Sequence, residues 1–91
     1  MTIRIGVVMD PITELNYKKD TTLAMLWAAQ DRGWSLFYME QKDLMLEQGK
    51  AVARMSALEV FRDPDKFYTL GEPTLRDLSE LDVVLMRKDP P

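Results

Sequence analysis

Neither cysteine nor histidine occurs in the 91 residues. Without cysteine the fold has no disulfide to rest on and no thiolate for zinc. Without histidine it lacks the usual general base and the commonest metal ligand, which removes most familiar hydrolytic chemistries. Glycine and proline are sparse, at 4 and 5 residues, too few for a disordered or low-complexity chain. Basic charge is also short: 12 Lys and Arg stand against 15 Asp and Glu. The basic residues are scattered, so there is no electrostatic footprint for nucleic acid. No apolar run approaches the roughly 20 residues of a membrane span. The opening Thr2-Ile3-Arg4-Ile5-Gly6 lacks the basic lead, apolar segment and small-residue cleavage site of a signal peptide. The expectation is a cytoplasmic protein with neither nucleic-acid nor membrane partners.

What remains is the composition of an ordinary globular chain, in a length that suits one domain and falls below that of most multi-substrate enzymes. A chain this small leaves much of its surface exposed. The 7 Met and 2 Trp exceed what a small core needs, so contacts to neighbouring domains and a homo-oligomer are expected.

Ile3 to Met9 reads as a strand buried on both faces, and Asp10-Pro11 ends it. Asp20 stands where an N-cap belongs, and Leu23, Leu26 and Trp27 form the apolar stripe of a following helix, with Ala24 and Ala28 beside it. Gly33 offers the left-handed residue of a Schellman ending, with Trp34 as its apolar contact. Ser35 to Met39 then completes a β-α-β unit with two parallel strands. Leu44 to Glu47 and Lys50 to Val60 flank Gln48-Gly49, a two-residue hairpin turn. A helix over Ala51 to Phe61 is the rival, and the period-2 alternation of Ala51, Ala53, Met55 and Ala57 argues for the strand. Asp63-Pro64-Asp65 is a turn, and Phe67 to Leu70 a short edge strand. Leu75, Leu78 and Leu81, spaced by three, suit a short helix or 3₁₀ turn, and Val83 to Met86 a second fully buried strand. The expected class is α/β, a parallel sheet core with an added β-hairpin.

Ligands of open parallel sheets bind outside the carboxyl ends of the strands. Two such ends carry an Asp before Pro: Met9-Asp10-Pro11 and Met86-Arg87-Lys88-Asp89-Pro90-Pro91. If the strands are neighbours, the ends converge. Arg87 then offers a planar fork for carboxylate or phosphate, Lys88 a point charge, and Asp10 and Asp89 acceptors for an ammonium or amide, a set suited to a zwitterionic peptide. The same residues also read as turn caps and strand stops. Asn16-Tyr17-Lys18-Lys19-Asp20 precedes a helix N-terminus, which attracts anions, yet Gly6 is the only nearby glycine and no nucleotide fingerprint is present. Trp27 and Trp34 read as packing. Glu40, Glu47, Glu72 and Glu80 show no pairing that suggests acid-base work or a hard-metal site and read as solvated.

Val8-Met9-Asp10-Pro11-Ile12, Lys18-Lys19-Asp20-Thr21-Thr22 and Leu85-Met86-Arg87-Lys88-Asp89-Pro90-Pro91 together resemble the N-terminal domain of bacterial glutathione synthetase. The last segment is the most specific of the three. The resemblance implies a single pre-ATP-grasp domain over residues 1–91, a small Rossmann-like layer preceding an ATP-grasp module in a longer ligase. It implies γ-glutamylcysteine and glycine as substrates, with ATP and Mg²⁺ held by the missing ATP-grasp domain and none by these 91 residues. Matched by position, Asp10, Asn16, Arg87, Lys88 and Asp89 are expected to face the substrate cleft, with no catalytic residue and no metal ligand in this chain, which alone is expected to be inactive. The alternative is a stand-alone small-ligand-binding or oligomerisation module without catalysis.

Overall fold

A computed structural model describes residues 3–12, 21–63 and 65–87. The elements run β1 (Arg4–Met9), α1 (Thr21–Asp31), β2 (Ser35–Met39), β3 (Leu44–Glu47), β4 (Lys50–Val60), β5 (Tyr68–Leu70), β6 (Thr74–Asp77) and β7 (Val83–Arg87). Short 3₁₀ turns lie at Gln41–Asp43 and Leu78–Glu80.

The sheet is mixed rather than a parallel core with an appendage. β1 runs parallel to β2 on one side and to β7 on the other. Four further strands form an antiparallel region around β4, which pairs with β2, β3, β5 and β6. The register Val8↔Met39 and Val8↔Met86 brings the carboxyl ends of all three parallel strands to one level. Asp82 holds β7 to β1 at the opposite end: its N–H donates to the Arg4 carbonyl, and its carboxylate accepts from the Arg4 N–H, both at 2.8 Å.

Helix α1 buries Leu23, Leu26 and Ala29 on the sheet, whereas Ala24 and Ala28 face solvent. Its end is the Schellman arrangement: Gly33 at φ +80° donates to the Gln30 carbonyl and Trp34 to that of Ala29. Asp20, the expected cap, lies outside the described residues. The β3-β4 turn puts both Gln48 (φ +51°) and Gly49 (φ +79°) in the left-handed region, as a two-residue type I′ hairpin requires. The strand reading of 51–60 therefore holds against the helix.

Along β4 burial alternates up to Met55 and again from Ser56, and at that step of two successive buried residues the cover changes sides. Leu58 and Val60 join Ile5, Val7, Met9, Leu36 and Tyr38 beneath α1. Ala53 and Met55, on the other face, join Val8 and Met39 beneath Leu78 and Leu81. Gly6 lies under that second cover, where an added Cβ would sit 2.4 Å from Leu81 Cδ1 and 2.8 Å from Met39 Cε. Gln30 completes the join between helix and strand. Its side-chain amide accepts from the Val60 N–H at 2.8 Å and donates to the Val60 carbonyl at 2.7 Å. Trp27 donates to the Phe61 carbonyl at 2.9 Å and packs against the α1 core, as does Trp34.

Two expectations are corrected. Leu75 belongs to strand β6 rather than to a helix, because the backbone of Val52 to Met55 offers an edge that Thr74 to Asp77 can pair; only Leu78–Glu80 is a 3₁₀ turn, capped where Asp77 accepts from the Ser79 N–H at 2.9 Å. That bond holds the half-buried Asp77 carboxyl below its ordinary value. Strand β7 is also not fully buried. It is an edge, with Val83, Val84 and Met86 exposed, since among the described residues it pairs with β1 alone.

Candidate functional site

The level ends of β2, β1 and β7 form the rim at which a ligand would meet free backbone and side chains. Met9 is the register partner of Arg87, so Asp10 follows immediately beside it. Arg87 lies on the α1 side of β7, and its Nε donates to Thr22 Oγ1 in the first turn of α1 at 3.1 Å. The two ends convergent in sequence are therefore neighbours in space. Asn16, Lys88 and Asp89 lie outside the described residues.

A cavity of about 180 Å³ opens at the same rim, between the ends of β1 and β2, lined by Met9, Asp10, Pro11, Glu40, Gln41 and Lys42. Its geometry is set by Tyr38, buried in the α1 core. The Tyr38 hydroxyl donates to Glu40 Oε2 at 2.6 Å and accepts from the Ile12 N–H at 3.1 Å. Burial, then the bond to Glu40, pushes the phenol well above its ordinary value, so it stays protonated and remains a donor. Around the turn, the Glu40 N–H donates to Asp43 Oδ2 and the Asp43 N–H to the Glu40 carbonyl, both at 2.9 Å. The loops that form the two walls are thus joined through one hydroxyl. Lys42 Nζ lies 3.7 Å from Glu40 Oε1 with its side chain 77% exposed. Asp10 has no hydrogen-bond or ionic partner among the described residues.

Among the described residues no group of three carboxylates could hold a metal ion, and no helix is long and apolar enough to cross a membrane.

A family model described as prokaryotic glutathione synthetase, N-terminal domain, matches residues 3–91. The chain belongs to that family. Among curated proteins, the glutathione synthetase of Pseudomonas putida is 63% identical over 91 residues, covering 100% of this chain and 29% of the relative. That of Pseudomonas aeruginosa is 57% identical over 91 residues, with the same shares of 100% and 29%. That of Shewanella oneidensis is 55% identical over 89 residues, 98% of this chain and 28% of the relative. The chain thus spans less than a third of the length of these glutathione synthetases, at their N-terminal part.

Within this glutathione synthetase N-terminal domain, sequence reasoning singled out the ends of β1 and β7, which the register sets side by side, and passed over the end of β2. Glu40 read as solvated, yet one of its oxygens is bound by a buried phenol. The signal was available: the strand-end rule that selected Asp10 and Arg87 applies equally to Met39-Glu40-Gln41-Lys42. Side chains two apart on a strand share a face, which aligns Tyr38 with Glu40.

Proposed function

We propose that this chain is the pre-ATP-grasp domain of a glutathione synthetase that ligates γ-glutamylcysteine and glycine at the expense of ATP, and that it forms one wall of the peptide cleft. ATP phosphorylates the cysteinyl carboxylate, and the glycine amine then displaces phosphate from the acyl phosphate to make the new peptide bond. In this reading ATP and Mg²⁺ are held by the remainder of the longer protein. Asp10, Asn16, Arg87, Lys88 and Asp89 face the cleft, with Arg87 suited by its fork to an anionic end of the peptide. The three parallel strands with α1 serve as a small Rossmann-like layer. The longer protein is cytoplasmic and a homo-oligomer. Exposed Met45, Leu46 and Leu75 on the antiparallel region are consistent with a surface covered by another domain or subunit.

The observation that supports this reading most is the register Met9↔Arg87, which sets Asp10 and Arg87 on one rim in a chain whose relatives are named glutathione synthetases. The test is ATP turnover by the full-length protein, measured with each substrate omitted in turn. Turnover that requires both γ-glutamylcysteine and glycine is expected, with none from residues 1–91 alone. Turnover indifferent to γ-glutamylcysteine sinks the reading. Arg87→Ala is expected to raise the KM for the peptide at least tenfold, the loss of one charge-assisted contact.

A further inference from the structure

The cavity between the ends of β1 and β2 joins Asp10 to Glu40 and Lys42, which the cleft reading leaves without a role, so that two carboxylates and one ammonium stand around it. On one side stands Asp10, without a partner among the described residues. On the other stand Glu40, with one oxygen held by Tyr38, and Lys42, whose ammonium lies 3.7 Å from Glu40 Oε1. About 180 Å³ is below the 300 Å³ or more of pockets that enclose drug-sized ligands. It suits a head group of a few heavy atoms. A lone anion there would meet two carboxylates, a lone cation would meet Lys42, and a neutral group would leave Asp10 facing it without compensation. A group bearing both charges on one carbon meets none of these objections.

We propose that this cavity binds the zwitterionic α-amino-acid head of the peptide substrate, with Asp10 receiving the ammonium and Lys42 the carboxylate. The proposal rests on the reading that the parent ligates γ-glutamylcysteine, whose γ-glutamyl end is such a head group. It adds that the end of β2, and not only those of β1 and β7, selects the substrate. Tyr38 is a positioning residue here. By bonding Glu40 and the Ile12 amide together it fixes the separation of the two walls before the ligand arrives, which spares the cost of ordering them on binding.

The test uses the full-length protein with three peptides: γ-glutamylcysteine, glutarylcysteine, which lacks the ammonium, and 4-aminobutanoylcysteine, which lacks the α-carboxylate. For the wild-type protein each analogue is expected to show a KM about tenfold or more above that of γ-glutamylcysteine, the loss of one charge-assisted contact. Lys42→Met should raise the KM for γ-glutamylcysteine by a similar factor and abolish the further penalty for 4-aminobutanoylcysteine. Asp10→Asn should do the same for glutarylcysteine, with the KM for glycine and ATP changed less than twofold in both variants. If the wild-type protein ligates γ-glutamylcysteine but both variants discriminate among the peptides as it does, the assignment is overturned while the parent activity stands. If the wild-type protein shows no turnover dependent on γ-glutamylcysteine, the parent reading is overturned and the assignment with it.

Discussion

The face of the sheet beneath α1 and the face beneath the Leu78–Glu80 turn are built from the same strands and closed by unequal means. On the first, 11 helical residues cover a core that reaches from Ile5 to Val60. On the second, Leu78 and Leu81, themselves only partly buried, cover four buried residues. The thicker cover carries the polar fittings of the rim, Arg87 on Thr22 and Tyr38 on Glu40 and Ile12. A site that must hold charged groups at fixed separation is thus founded on the better-packed face, where side chains have little room to shift.

The contrast is open to test by substitution. Leu26→Ala on the α1 face should cost about 3 kcal/mol, a buried leucine lost with incomplete collapse of the cavity. Its measure is the urea midpoint at unchanged m-value, and a loss below about 1 kcal/mol would dissolve the distinction between the faces. Tyr38→Phe should cost about 2 kcal/mol by leaving the Ile12 N–H and Glu40 without their shared partner. It should also alter the alkaline limb of stability. The folded-state phenol is raised above its ordinary 10.0, so the folded form keeps a proton that the unfolded form releases. The stabilisation is therefore full below pH 10 and fades as pH climbs beyond it. Subtracting the Tyr38→Phe profile from that of the wild type should isolate this fall.

On the opposite face, Gly6→Ala should cost about 1.5 kcal/mol, since only the ends of Leu81 and Met39 stand in the way of the new methyl group. Adding Leu81→Ala should recover part of that loss, and strict additivity in the double-mutant cycle would show that the thin cover is not what excludes a side chain. The smallest effect belongs to Arg62→Ala. Its 2.7 Å ion pair with Asp31 is exposed on both sides, so a change of a few tenths of a kcal/mol is expected in the thermal midpoint.

Sequence alone carried the elements that rest on local stereochemistry. Gly33 and Gly49 occupy left-handed backbone that few other residues tolerate, so the helix end and the hairpin were legible at single-residue precision. The pairing of β1 with β7 was legible only as a condition, because a parallel partner about 78 residues away, in the register Ile5↔Val83 to Met9↔Arg87, leaves no local mark. Strand β6 was obscured because Leu75, Leu78 and Leu81 imitate a helical spacing, while Leu75 in fact lies exposed on a strand whose pairing is set by β4. Exposure of β7 was hidden for another reason. Val83-Val84-Leu85-Met86 has the same pattern whether one edge or two are covered. At the rim, Asp10 and Arg87 were read from strand ends and the same rule reaches Glu40 and Lys42, whereas the bond of Tyr38 to Glu40 and the Ile12 amide shows only in the fold.

The double hydrogen bond from Gln30 to Val60 makes a helix side chain stand in for a missing strand residue. A strand that slips by one position turns every side chain to the wrong face, and β4 serves both covers at once. Gln30 therefore acts as a gauge of alignment. The residues on either side of Val60 turn their N–H and carbonyl to the other edge, so a helix that docks one position out of step leaves two polar groups unpaired. The seating of α1 and the alignment of β4 are thereby tied to each other through one side chain.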